Sequence, residues 1–173
     1  MAVKLWICEI CGEAYIGEEA PKNCAFCGAH KRFMKSFRTA RVNFKVKLND
    51  VDRANVRHAL KVEISNAVFY TCAAKKTMSK EGQKLFKILA KVEKEHASVW
   101  KKILGKKTIP DGNETCSKNN IANLKDSHAR EERAIAFYKE AAKVAKNKRV
   151  KTIFRAFIEV EKDHLALSDA RLK

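Results

Sequence analysis

"EISNAVFYTCAAKK" occupies residues 63–76 and "EERAIAFYKEAAKV" residues 131–144, an offset of 68. Each stretch sets a glutamate seven residues before a tyrosine, Glu63 before Tyr70 and Glu131 before Tyr138. Seven residues are two helical turns, so acid and phenol share a face in both. The same offset relates "KVEKEH" to "EVEKDH", pairing Glu93-x-x-His96 with Glu161-x-x-His164. Phe86 is answered by Phe154, and Leu89 by Phe157. The chain is therefore an internal repeat: a helix with a Glu, then a helix with Glu-x-x-His, twice over.

From Asn49 onward Ala, Lys, Glu and Leu dominate, with Gly82, Gly105, Gly112 and Pro110 the interruptions. The pattern predicts four helices at 50–77, 80–104, 117–146 and 148–170, with Ser79 and Ser117 as N-caps, Gly105 as a stop and "IPDGN" (109–113) as a turn. The first and third connections are short, so each half is an antiparallel hairpin. The middle one, Gly105 to Cys116, could extend roughly 35–40 Å and run the length of a bundle, which predicts a crossover.

Glu63 and Glu93 flank the first hairpin turn at similar depth, about 20–25 Å away, and Glu131 and Glu161 do the same around Asn147. Four carboxylates and two imidazoles then meet at one level. Leu60, Ala67, Leu89, Val99, Ile135, Phe157 and Leu167 share their stripes and predict an inward face. Six O/N donors with internal two-fold symmetry suit two first-row metal ions, with glutamates bridging and one His on each ion. A metal also explains the acids, because a buried carboxylate alone costs several kcal/mol. Tyr70 and Tyr138 are expected to donate hydrogen bonds to these glutamates across the bundle. His128, one turn before Glu131, is a candidate extra ligand or proton donor. His30, His58, Glu95, Glu132, Glu159 and Asp163 are read as lying off the inner stripe.

The first 35 residues read differently: short, aromatic and without helical period. "CEIC" and "CAFC" place Cys8, Cys11, Cys24 and Cys27 as C-x₂-C-x₁₂-C-x₂-C, each pair followed by glycine. Four thiolates at this spacing make a tetrahedral site for one iron or for zinc. Trp6, Tyr15 and Phe26 are the expected core of the module, which needs metal to fold. Residues 36–48 read as an extended linker. Cys72 and Cys116 stand apart and are expected to be free thiols.

The net charge is +17, but residues 1–30 carry −2, so an acidic head sits on a basic body. The two are expected to attract each other within an oligomer. No apolar run of 18 residues exists and no secretion signal is read, so a membrane span is excluded and the cytoplasm is the expected location.

Together these motifs resemble the rubrerythrin family over nearly the whole chain, in its reverse order with the cysteine module first. The resemblance implies a mainly α protein: a rubredoxin-like four-cysteine module (1–35), a linker (36–48) and a ferritin-like di-iron four-helix bundle (49–173). It implies an oxidoreductase, a peroxidase reducing hydrogen peroxide to water and also dioxygen. Electrons come from NAD(P)H through a reductase or a rubredoxin and pass through the cysteine-bound iron. It implies three irons per chain: one on Cys8, Cys11, Cys24 and Cys27, and two on Glu63, Glu93, His96, Glu131, Glu161 and His164. Zinc is the alternative in the cysteine site. Glu63, Glu93, Glu131, Glu161, Tyr70 and Tyr138 form the expected catalytic set. The family favours a homodimer or higher homo-oligomer in which the module serves a neighbour's bundle. One departure stands out: the extra carboxylate often found a turn beyond the Glu131 position is here Ala134, unless Glu132 or His128 substitutes. Ala25 stands where a rubredoxin knuckle often has proline. An iron oxidase or store would explain the bundle but not the cysteines. A zinc ribbon with basic helices gripping nucleic acid would explain the charge but not the duplicated ligands, so nucleic acid is not an expected partner.

Overall fold

The computed structural model describes residues 2–173. Among them, four long helices carry the fold: α1 (Asp50–Lys76), α2 (Lys80–Ile103), α3 (Asn120–Val144) and α4 (Lys148–Leu172). A small antiparallel sheet precedes them, β1 (Lys4–Cys8), β2 (Ala14–Gly17) and β3 (Met34–Ser36), in the order β2-β1-β3. Side-chain caps start each helix. Asn49 accepts from Asp52 N, Ser79 from Gly82 N, Asn119 from Ala122 N, and Asn147 from Arg149 N and Val150 N. The cap of α3 is thus Asn119 rather than Ser117. Ser117 stands outside the helix, where its amide donates to Asn123 Oδ1 at 2.9 Å.

α1 packs chiefly on α2, and α3 on α4, as the short turns require. Asp52, buried at the start of α1, binds the turn between α3 and α4: its carboxylate accepts from Lys146 N (3.1 Å) and Asn147 N (2.9 Å). The connection from α2 to α3 does cross the bundle, running along α1. "IPDGN" is not a turn there but part of this irregular run. At Gly112 the run presses on α1 so closely that a Cβ would lie 2.7 Å from Ile64 Cγ2. Farther on, Glu114 accepts from Ser65 Oγ at 2.5 Å and pairs with Arg130 at 2.9 Å. The run then ends in a disulfide between Cys116 and Cys72. The expectation of free thiols is therefore wrong. Cys72 and Cys116 are 44 residues apart, and only the path of the crossover brings them together.

The module docks on the α2/α4 side of its own bundle. His30 meets Asp163 at 2.8 Å and Glu159 at 3.4 Å, and Arg32 also pairs with Glu159. Lys102 Nζ donates to Cys11 O (3.2 Å) and Arg149 to Ile10 O (3.1 Å). Opposite charges thus contribute differently from what net charge suggests: bundle cations grip main-chain carbonyls, while bundle acids hold the module's own His30 and Arg32. Gly28 fixes the approach. Its φ of 74° is left-handed, and a Cβ would sit 2.7 Å from Val160 Cγ1 on α4.

The expected module core needs correction. Tyr15 and Phe26 are 38% and 43% exposed, and only Trp6 packs inward, its indole donating to Gly17 O. The core consists instead of the four cysteines with Ile10, Ala29 and Met34. Tyr15 pairs directly across from Trp6 and so shares its face, but it stands on the edge strand β2, where no further strand covers it. Phe26 tips a cysteine knuckle, which points outward.

Candidate metal centres

Glu63 on α1, Glu93 and His96 on α2, Glu131 on α3, and Glu161 and His164 on α4 converge in the bundle interior, all buried. They form two groups that share Glu93 and Glu161. In one, donor atoms of Glu63, Glu93, His96 and Glu161 lie within 4.8 Å of one another; in the other, those of Glu93, Glu131, Glu161 and His164 do. His96 Nδ1 lies 3.1 Å from Glu161 Oε1, 3.3 Å from Glu93 Oε2 and 3.5 Å from Glu63 Oε1. His164 Nδ1 lies 2.9 Å from Glu161 Oε2 and 3.0 Å from Glu93 Oε1, with Glu131 Oε1 at 3.9 Å. The two oxygens of Glu93, and of Glu161, thus face different imidazoles, as bridging between two ions demands.

Despite these distances, both Nδ1 atoms, both oxygens of Glu93 and of Glu161, and Oε2 of Glu63 and Glu131 make no hydrogen bond. Eight buried polar atoms aimed at common points without partners are costly unless a cation lies among them. Carboxylate and imidazole donors in this number fit two first-row divalent ions.

The same crowding sets the protonation of the metal-free cluster. Burial, with Glu93 and Glu161 beside them, pushes Glu63 and Glu131 well above the usual carboxylate range. For Glu93 burial acts upward, but the pull of the two imidazoles facing it outweighs that and the carboxyl goes down. Glu161 likewise ends low, held by His164 and His96 against burial and Glu93. Burial alone would lower both histidines; Glu63 and Glu161 drive His96 up instead, and Glu161 and Glu93 drive His164 up. Two imidazolium groups thus balance two carboxylates.

The phenols reach across the bundle as expected. Tyr70 on α1 donates to Glu131 on α3, and Tyr138 on α3 donates to Glu63 on α1. Both are fully buried, and burial beside those acids raises both phenols. Tyr70 also meets Ser127 Oγ at 2.9 Å, and Ser127 meets Ser168 Oγ at 3.0 Å. Sequence reading missed these serines, although Ser127 stands one turn before Glu131 on the same stripe.

His128 does not join the cluster. It is part-exposed and meets Asp169 at 2.9 Å and Glu132 at 3.5 Å. Glu132 is exposed too, so neither replaces a carboxylate at Ala134. Leu167, expected inward, is 39% exposed, because the inner stripe of α4 runs from His164 to the buried Ser168, four residues on, and leaves Leu167 beside it. The other stripe positions are buried. Glu159 and Asp163 lie off the metal stripe as read, but they hold the module.

The four cysteines are buried with their sulfurs within 4.8 Å of one another; Cys8 and Cys27 stand 3.7 Å apart, as do Cys11 and Cys24. Sharing of protons among the sulfurs pulls Cys8 and Cys24 down and pushes Cys11 and Cys27 up. Both knuckles close on their glycines, Gly12 N donating to Cys8 O and Gly28 N to Cys24 O. The thiols are free rather than disulfide-bonded, an arrangement compatible with one iron. A direct contact joins the two centres: His96 Nε2 hydrogen-bonds Cys27 O at 2.9 Å. Within the chain the module thus lies against its own bundle.

This geometry defines a ferritin-like protein with a carboxylate–histidine cluster and an attached four-cysteine module. Comparison with known proteins agrees. The model of the ferritin-like domain matches residues 49–173, and that of the rubrerythrin rubredoxin-like domain matches residues 6–35. The chain belongs to the rubrerythrin family, with its rubredoxin-like module at the N-terminal end. Among solved structures, a hypothetical protein from Pyrococcus furiosus is similar at 20% identity with a TM-score of 0.58, covering 70% of this chain and 87% of that one, a likeness of fold. Among curated proteins, none matches. Among the described residues no helix is long and apolar enough to cross a membrane.

Proposed function

We propose that the protein is a peroxidase that reduces hydrogen peroxide with two electrons and two protons to two waters. The observation that carries this reading is the His96–Cys27 hydrogen bond, which links a candidate ligand of the bundle pair to the backbone of a candidate ligand in the module. In this reading Glu63, Glu93, His96, Glu131, Glu161 and His164 hold two irons, and the four cysteines hold a third. Bound there, the iron pair supplies the two electrons and the positive charge that O–O cleavage needs. Tyr70 and Tyr138 each donate a hydrogen bond to a glutamate, Glu131 and Glu63, and so orient it. Buried Phe157, stacked on His96 at 3.9 Å, and Trp100 beside it keep water from the module side of the cluster.

Electrons enter from an NAD(P)H-linked reductase or a rubredoxin, at the exposed Ala25–Phe26 knuckle. A homodimer is part of the family expectation, but the relay does not depend on it. Storage of iron as the main role is the weaker reading, because it gives the docked module nothing to do.

Replacing Cys24 with Ser tests the relay. The variant should react once with peroxide when its bundle is pre-reduced, then fall at least about tenfold in steady-state turnover, a loss of about 1.4 kcal/mol or more in the limiting step. Undiminished steady-state turnover would overturn it.

A further inference from the structure

The module covers the α2/α4 side of the metal cluster, which leaves the opposite side, where α1 meets α3. α1 packs mainly on α2 and α3 on α4, so a seam remains between them. In that seam lies a cleft of about 200 Å³. Val62 and Phe137 wall it, Arg130 and Arg133 stand on its rim, and Asn66 and Ala134 line it from below, 3% and 2% exposed.

The internal repeat explains this position. Asn66 is one turn beyond Glu63 and Ala134 one turn beyond Glu131, and the two are 68 residues apart. They are therefore equivalent positions of the repeat, each one turn from a candidate ligand, and both line the cleft. Their side chains differ in a telling way. Ala134 leaves room, whereas Asn66 brings a buried amide whose Nδ2 has no hydrogen-bond partner. Its Oδ1 has only a marginal 3.5 Å contact from Arg130 Nη1. A buried donor without a partner forfeits its hydration and gains nothing in return, so one that lines a cleft of this size is suited to a small visiting acceptor.

We propose that the α1/α3 seam is the oxidant's entrance and that Asn66 Nδ2 is the hydrogen-bond donor that receives peroxide at its inner end. This inference rests on the peroxidase reading and gives the molecule two doors: electrons arrive through the module on one side, oxidant through the seam on the other. Hydrogen peroxide both donates and accepts hydrogen bonds, and 200 Å³ admits it with a few waters. The exposed Arg133 at the rim favours small anions too, which supplies a second probe.

Two variants separate passage from binding: Val62→Phe fills the seam from a part-buried wall, and Asn66→Leu removes the donor while keeping the branched shape of the side chain. Ile88→Ala, on an exposed face of α2, serves as control. Iron-loaded protein is mixed with peroxide in single turnover, and its oxidised form is titrated with azide, followed by visible absorption. With iron content and melting temperature held, both variants should lose about tenfold in the second-order rate with peroxide and in the azide association rate. In steady state Asn66→Leu should raise KM for peroxide and leave kcat, a split that a merely structural asparagine would not give. Wild-type rates in both variants overturn the proposal. If Val62→Phe fails to fold, Asn66→Leu decides. If wild-type protein ignores peroxide, the peroxidase reading fails alone, and azide entry still decides the seam: slowed in the variants supports it, unchanged refutes it.

Discussion

Tyr138 and Tyr70 show how much a single side chain fixes here. Each phenol is the hydrogen-bond donor to an acid that has no other partner except the proposed ion. Tyr138→Phe leaves Glu63 Oε1 bare and should cost about 1–3 kcal/mol of stability and about 10–100-fold in metal affinity or activity. Thermal melts and metal titrations of Tyr138→Phe and Tyr70→Phe check both figures. Protonation offers a second test. In the metal-free cluster burial and neighbouring acids raise Glu63 and Glu131, and the surrounding carboxylates raise His96 and His164, so all four favour their protonated forms. Metal requires them deprotonated. Loading two ions should therefore release protons, and affinity should rise with pH and fall as pH drops. Calorimetry in buffers of different ionisation enthalpy counts the protons; release of none would contradict the cluster.

At the level of the helix and the loop, what could be read in advance depended on whether the signal was local. The six metal-ligand candidates were legible because a 68-residue repeat and an i, i+3 spacing survive in one dimension. The crossover was legible from its length alone. The Cys72–Cys116 bond was not, since nothing in the spacing says that the crossover lies on α1 at that height. Nor was the exposure of Phe26 and Tyr15, which follows from a knuckle and an edge strand that nothing else in the chain covers. Asn66 was overlooked for a related reason. Its matched partner is Ala134, so the repeat shows no shared chemistry at that position, and only the seam reveals its use. The disulfide carries a prediction at this level. It closes a 44-residue loop, so Cys72→Ser with Cys116→Ser should lose about 4 kcal/mol in denaturant unfolding. Metal content should be unchanged, because the bond lies outside the ligand set.

For the whole molecule the decisive feature is the seating of one domain on the other. Lys102, Arg149, His30 and Arg32 anchor the module around the point where Cys27 meets His96. That seating turns two separate metal sites into one connected device and leaves the α1/α3 seam as the side open to small molecules. All of it depends on two ions lying between the shared carboxylates. The most direct measurement is anomalous diffraction at the iron edge from crystals of anaerobically purified protein. Two peaks should appear inside the bundle, one among Glu63, Glu93, His96 and Glu161 and one among Glu93, Glu131, Glu161 and His164, with a third at the cysteines. A bundle with no peak, or with a single ion outside these groups, would contradict the account.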